Sequence, residues 1–149
     1  MCPTPLAVRR VALIAAIVLA VGAAPAAVPQ TTDEALARVE AGLERADPGA
    51  VLTDAPGRVE VVLFGEGGMF RRAQATHVLR DFFRRHPPAQ VAFRERSSSD
   101  DGQMAMGSYW TESGGDPLSV RVLHRESGGE WVLVSIRIDR RSTVRVSGY

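Results

Sequence analysis

The sequence is nearly without cysteine and wholly without lysine, and each absence excludes something. Cys2 is its one cysteine, so no disulfide can staple the body of the chain and no thiol chemistry can run there. Cys2 also precedes the apolar N-terminal stretch instead of following it, which argues against a lipidated cysteine. All 18 basic residues are arginine, a mark of GC-rich coding more than of function. Past the first 27 residues, 16 arginines face 17 acidic residues. That near-neutral balance gives no global attraction to nucleic acid. No HxH, HExxH or clustered acidic spacing points to a metal. No GxSxG or other activated serine arrangement is present, and nothing calls for a cofactor.

What is present begins with an address. Arg9 and Arg10 precede an almost wholly apolar run over residues 11–24, and Ala24-Pro25-Ala26 supplies small residues for cleavage. These are the three parts of a secretory signal peptide. The run is short for a membrane span, which needs about 20 apolar residues. The expectation is a signal over 1–27, a tether and helix start over 28–34, and one α+β domain over 35–149. The product would be secreted or periplasmic and free of the membrane after cleavage. An uncleaved N-terminal anchor is the alternative.

The clearest element is a helix within residues 70–88. Ala75, Val78, Leu79, Phe82 and Phe83 form one apolar stripe at helical spacing, and Pro87-Pro88 ends it. Before it, Thr31 with Glu34 forms a capping box for a helix over 32–46. Asp47-Pro48 opens a short second helix. Residues 58–64 form the first strand, closed by the turn Gly65-Glu66-Gly67-Gly68, which lacks the GK[ST] ending of a phosphate loop. After the prolines the period changes to two. Strands are expected over 90–96, 104–111, 118–125 and 130–139, with Val132, Val134, Ile136 and Ile138 on one face of the last. Gly107 marks a bulge or bend. A further short strand around Val144 and Val146, or a tail, would close the chain. Helices first and an antiparallel meander afterwards is an α+β plan.

The run 59–64, the Gly-rich turn, Phe70 and a helix ending in Asp81-Phe82-Phe83 before a proline break resemble a known family. So do the 97–102 hairpin, Met106-Gly107, and Trp131 leading to Ile136 and Ile138. The family is a small secreted bacterial one, domain of unknown function 4783, and the likeness covers residues 35–139. It is similar to the nuclear-transport-factor-2-like (cystatin-like) superfamily. The resemblance implies a cone-shaped fold, with a curved antiparallel sheet of four to five strands wrapped over two to three helices from the N-terminal half. It implies no catalytic residue, because superfamily relatives include isomerases, dehydratases and non-enzymatic binding or assembly modules.

Two functions are therefore carried forward. The first is a non-enzymatic module binding a small ligand or a protein, through a pocket lined by Phe82, Phe83, Tyr109 and Trp131 or through the open sheet face, where a homodimer could form. The second is a cofactor-free enzyme of isomerase or dehydratase type with a general acid/base. Its candidate is His124, which shares a strand face with Leu118, Val120 and Val122. His77 lies on the polar side of the long helix, and His86 caps its C-terminal end. Tyr109 and Trp110 must face opposite ways. For an anionic ligand the candidates are Arg80, Arg84 and Arg137, within two arginine groups, Arg80, Arg84 and Arg85 and then Arg137, Arg140, Arg141 and Arg145.

Overall fold

The computed structural model describes residues 31–142. The signal segment, most of the tether and the terminal strand around Val144 and Val146 lie outside those residues. No helix among the described residues is long and apolar enough to cross a membrane.

The first two helices start where a side chain can satisfy their first amides. In α1 (Thr32–Glu44) the Thr31 hydroxyl accepts from the Glu34 amide at 3.2 Å, while the Glu34 carboxylate accepts from the Thr31 amide at 3.1 Å, a reciprocal capping box. Asp47 caps the one-turn α2 (Pro48–Val51), with Pro48 at its first position. A Cβ on Gly42 would lie 2.7 Å from the Val51 amide nitrogen, so this glycine lets the two helices meet.

The strands are β1 (Arg58–Leu63), β2 (Glu66–Arg71), β3 (Pro88–Ser99), β4 (Gly102–Thr111), β5 (Leu118–Ser127) and β6 (Glu130–Arg140). The long helix α3 (Arg72–Arg85) connects β2 to β3. The strands form one curved, unclosed sheet in the order β2-β1-β6-β5-β4-β3. Every pairing is antiparallel except β1 with β6. All three helices come from the first half of the described residues. Helix α1 packs against β3 and β6, and α3 against β1 and β2. The core between sheet and helices joins Leu36, Val39 and Leu43 to Leu79, Phe82 and the inward side chains of β1, β5 and β6.

Six strands stand where four to five were expected, and the difference is β2. The glycine run is not a turn. The turn is the pair Phe64-Gly65, with φ of 54° and 82°, a two-residue hairpin of the type that needs both residues left-handed. Gly67 and Gly68 then belong to a strand, and Phe70 lies in β2 opposite Val59 and not in the helix. Gly67 is required there: a Cβ on it would fall 2.0 Å from the Val61 carbonyl oxygen.

Three register shifts shape the long strands; the first leaves Ala89 extra, between Pro88 and Gln90. Phe93 pairs with Gly107 and Glu95 with Met106, so Arg94 is extra. A Cβ on Gly107 would sit 2.2 Å from the Ala92 carbonyl oxygen, which ties the glycine to this bend. In β6, Leu123 pairs with Ser135 and His124 with Leu133, leaving Val134 unpaired. The bulge resets the alternation. Leu133, Ile136 and Ile138 are the buried residues, and Val132 and Val134 are only half-buried. The expected inward set of β6 is thus corrected at its first two positions. A strict two-residue period cannot register an inserted residue.

Candidate ligand-binding groove

At the end of α3, Val78, Phe82 and His86 succeed one another four residues apart, which stacks them on one face of the helix. The Phe82 ring is buried against Phe83 (centroids 5.7 Å), Tyr109 (5.4 Å) and His86 (5.1 Å). Tyr109 is fully buried, and its hydroxyl donates to the His86 carbonyl at 2.5 Å. Burial, with a smaller push from Glu112, raises the phenol well above its usual pKa. It stays a neutral donor and closes the helix end.

The Phe64-Gly65 turn folds over this face. The Phe64 amide donates to the Ile138 carbonyl at 2.8 Å, and the Gly65 amide to the Asp139 carboxylate at 2.9 Å. The turn is thereby fastened to the end of β6. The Phe64 ring lies 6.1 Å from Phe82 and 5.2 Å from His86. The Arg140 guanidinium stands over the same ring, 5.6 Å from the centroid. Phe64 remains 36% exposed, in a left-handed conformation that a bulky side chain adopts only at a cost.

Between turn and helix runs a groove of about 380 Å³. Leu63, Phe64, Phe70, Val78 and Phe82 make its floor; Arg85, His86, Arg140 and Glu66 stand around it. That volume falls within the range of small-ligand sites. His86 titrates below its ordinary value, first through burial and then through Arg85 and Arg140. Both guanidiniums therefore lie close enough to His86 to disfavour its protonated form.

The sequence-derived candidates fall elsewhere in part. Phe82 forms part of the groove floor, whereas Phe83 and Tyr109 are packed in the core. Trp131 lies at the opposite end of the sheet, beside Asp100, Asp101, Arg125 and Glu126 in an open polar depression. Arg80 contacts His77 at 3.3 Å, Arg84 pairs with Asp81, and Arg137 pairs with Glu60 at 2.9 Å. Arg137 alternates with the inward Ile136 and Ile138, so it points to the face of the sheet away from the helices. The three are not brought together. The arginines that line one groove, Arg85 and Arg140, come one from each of the two groups marked in the sequence.

His124 is 1% exposed, and its Nε2 has no hydrogen-bond partner among the described residues. Burial holds its pKa down; nearby Asp54 opposes this and Arg38 adds to it. Asp54 and Arg38 themselves form an ion pair at 2.9 Å. The cavity at His124, between Leu36 and Ala105, measures about 10 Å³, room for one water molecule at most. Among the described residues no three of His, Cys, Asp and Glu gather to hold a metal ion.

The groove residues Phe64, Phe70, His86 and Arg140 were the least legible in sequence. Their one local signal is the dipeptide Phe64-Gly65. A glycine after the first strand marks a hairpin turn, but the two glycines that follow, Gly67 and Gly68, moved the expected turn one residue along.

The comparisons agree on the fold. A family model described as Domain of unknown function (DUF4783) matches residues 36–139. The crystal structure of a DUF4783 family protein from Bacteroides ovatus superposes with a TM-score of 0.64 at 18% identity, covering 70% of this chain and 93% of that one. An NTF2-like protein of unknown function from Shewanella baltica gives 0.56 at 16% identity, covering 71% and 87%. TerC, co-crystallised with polyporic acid, gives 0.55 at 19% identity, covering 71% and 88%. None of the curated proteins searched matches the chain. At these identities the solved structures speak to the fold alone.

Proposed function

The chain belongs to the family described as Domain of unknown function (DUF4783), and on that premise we propose that it is a non-enzymatic module that binds a small ligand in the groove beside the Phe64-Gly65 turn. One contrast carries this reading. Phe83 and Tyr109 are buried in the core against Phe82, whereas the apolar floor between turn and helix is open over about 380 Å³. A strained, partly exposed phenylalanine beside that opening supports it, because such conformations gather at ligand sites. The co-crystal of TerC with polyporic acid is a precedent for a small organic ligand in this fold. The reading includes export, on the strength of the charged, apolar and small-residue segments over 1–27. Edman sequencing of the protein recovered from a bacterial periplasm checks it: a first residue near Ala27 is expected, and an intact Met1 would contradict cleavage.

The alternative, a general-base enzyme at His124, has the unpartnered Nε2 in its favour. A cavity of about 10 Å³ leaves no place for a substrate beside it, so it stands second. The neutral dye N-phenyl-1-naphthylamine, which brightens in apolar surroundings, separates the two. Val78→Trp, filling the groove, should abolish its binding, and His124→Leu should leave binding intact. The reverse pattern would overturn the groove reading.

A further inference from the structure

The groove is not merely apolar; the charge around it has one dominant sign. Arg85 and Arg140 are both exposed, and neither pairs with a carboxylate among the described residues. Arg85 donates through Nε to the Asp81 carbonyl at 3.3 Å, which leaves its terminal nitrogens free. The Arg140 guanidinium carbon lies over the Phe64 ring, 5.6 Å from its centroid, a cation–π contact that uses none of its N–H donors and leaves them to a ligand. Glu66, itself exposed, is the one acid that lines the groove; Asp139 nearby is held by the Gly65 amide, and Asp81 pairs with Arg84. A cationic ligand would meet two guanidiniums. A neutral apolar one would leave their donors unused.

We propose that the groove takes an apolar monocarboxylate, with its alkyl or aryl body on Leu63, Phe70, Val78 and Phe82 and its carboxylate received by Arg85 and Arg140. The proposal rests on the groove reading above and adds the class of ligand. A planar carboxylate suits paired guanidinium donors in number and geometry, and the aliphatic and aromatic floor suits a chain or ring of modest length.

The test compares three molecules with one ten-carbon tail, decanoate, 1-decanol and decylamine, by titration calorimetry on the purified protein at low salt. Decanoate should bind at least about tenfold more tightly than 1-decanol, the size expected of charge-assisted hydrogen bonds. Decylamine should bind more weakly than either. Replacing both arginines, Arg85→Gln with Arg140→Gln, should erase the advantage of decanoate and leave 1-decanol unchanged. Glu66→Gln removes the one carboxylate that lines the groove and should strengthen decanoate. Equal binding of decanoate and 1-decanol would overturn the head-group assignment while leaving the groove reading standing. Binding of none of the three, together with no response to the neutral dye, would overturn both.

Discussion

Phe64 sets two effects of opposite sign against each other, and a pair of substitutions separates them. Its φ of 54° costs a bulky residue about 1–2 kcal/mol. Its ring, 36% exposed, is about two-thirds covered. Full burial of a phenylalanine is worth about 1.5–3 kcal/mol, so the covered part contributes about 1–2 kcal/mol. Contact with Phe82 and Arg140 adds about 1 kcal/mol. Phe64→Ala loses the ring and keeps the strain, for a cost of about 2–3 kcal/mol. Phe64→Asn loses the same ring, but asparagine tolerates the left-handed region, and about 1 kcal/mol returns. Urea unfolding, read as midpoints at a common slope, should therefore rank the parent first, Asn second and Ala last. The gap between the two variants should be about 1 kcal/mol. Two variants of equal stability would refute the strained turn. A parent less stable than the Asn variant would show that the ring contributes less than its coverage implies.

Other outcomes follow from the same geometry. Gly107→Ala should cost about 3 kcal/mol, the upper end for forced overpacking, because its Cβ would meet backbone atoms of Ala92 and Phe93 at 2.2–2.8 Å; thermal or urea unfolding reads this directly. Thr31→Ala should cost about 1 kcal/mol through loss of the α1 cap, visible in the same assay. His124 is held below its unfolded pKa mainly by burial, so the unfolded chain binds more protons as pH falls below about 6.5. Stability should drop there, by no more than about 1.4 kcal/mol per pH unit for this one proton. His86 shifts the same way, so the comparison is between the parent and His124→Leu, in which the slope should flatten. A carboxylate near His86 should raise that imidazole's proton affinity, so decanoate should bind more tightly at pH 6 than at pH 7.5, with proton uptake measurable from the buffer dependence of the calorimetric heat.

The elements read most easily in the sequence were those whose burial follows one period. The stripe Ala75, Leu79, Phe82 and Phe83 is buried as the helical spacing implies, and Val78 falls at its edge, where the groove opens. His124 follows Leu118, Val120 and Val122 into the core because β5 keeps a strict alternation. Where residues are inserted, the pattern loses phase. Val134 carries no mark that sets it apart from Val132, yet the bulge there exchanges the faces, and only pairing across strands decides it. The sixth strand was hidden for a related reason: Gly67 and Gly68 have no side chain to report an alternation. The groove was legible only in fragments. It joins a turn, a helix end and a strand end far apart in the chain, and a long-range pairing, β1 beside β6, brings Arg140 over Phe64.

The most direct measurement is a titration of isotope-labelled protein with decanoate, followed through its backbone amide resonances. The account predicts saturable shifts gathered at Phe64, Gly65, Phe70, Val78, His86 and Arg140, with His124 and the strand residues Arg121 and Arg137 unmoved. Shifts centred instead on His124, Leu36 and Ala105, or spread over the face of the sheet away from the helices, would contradict it.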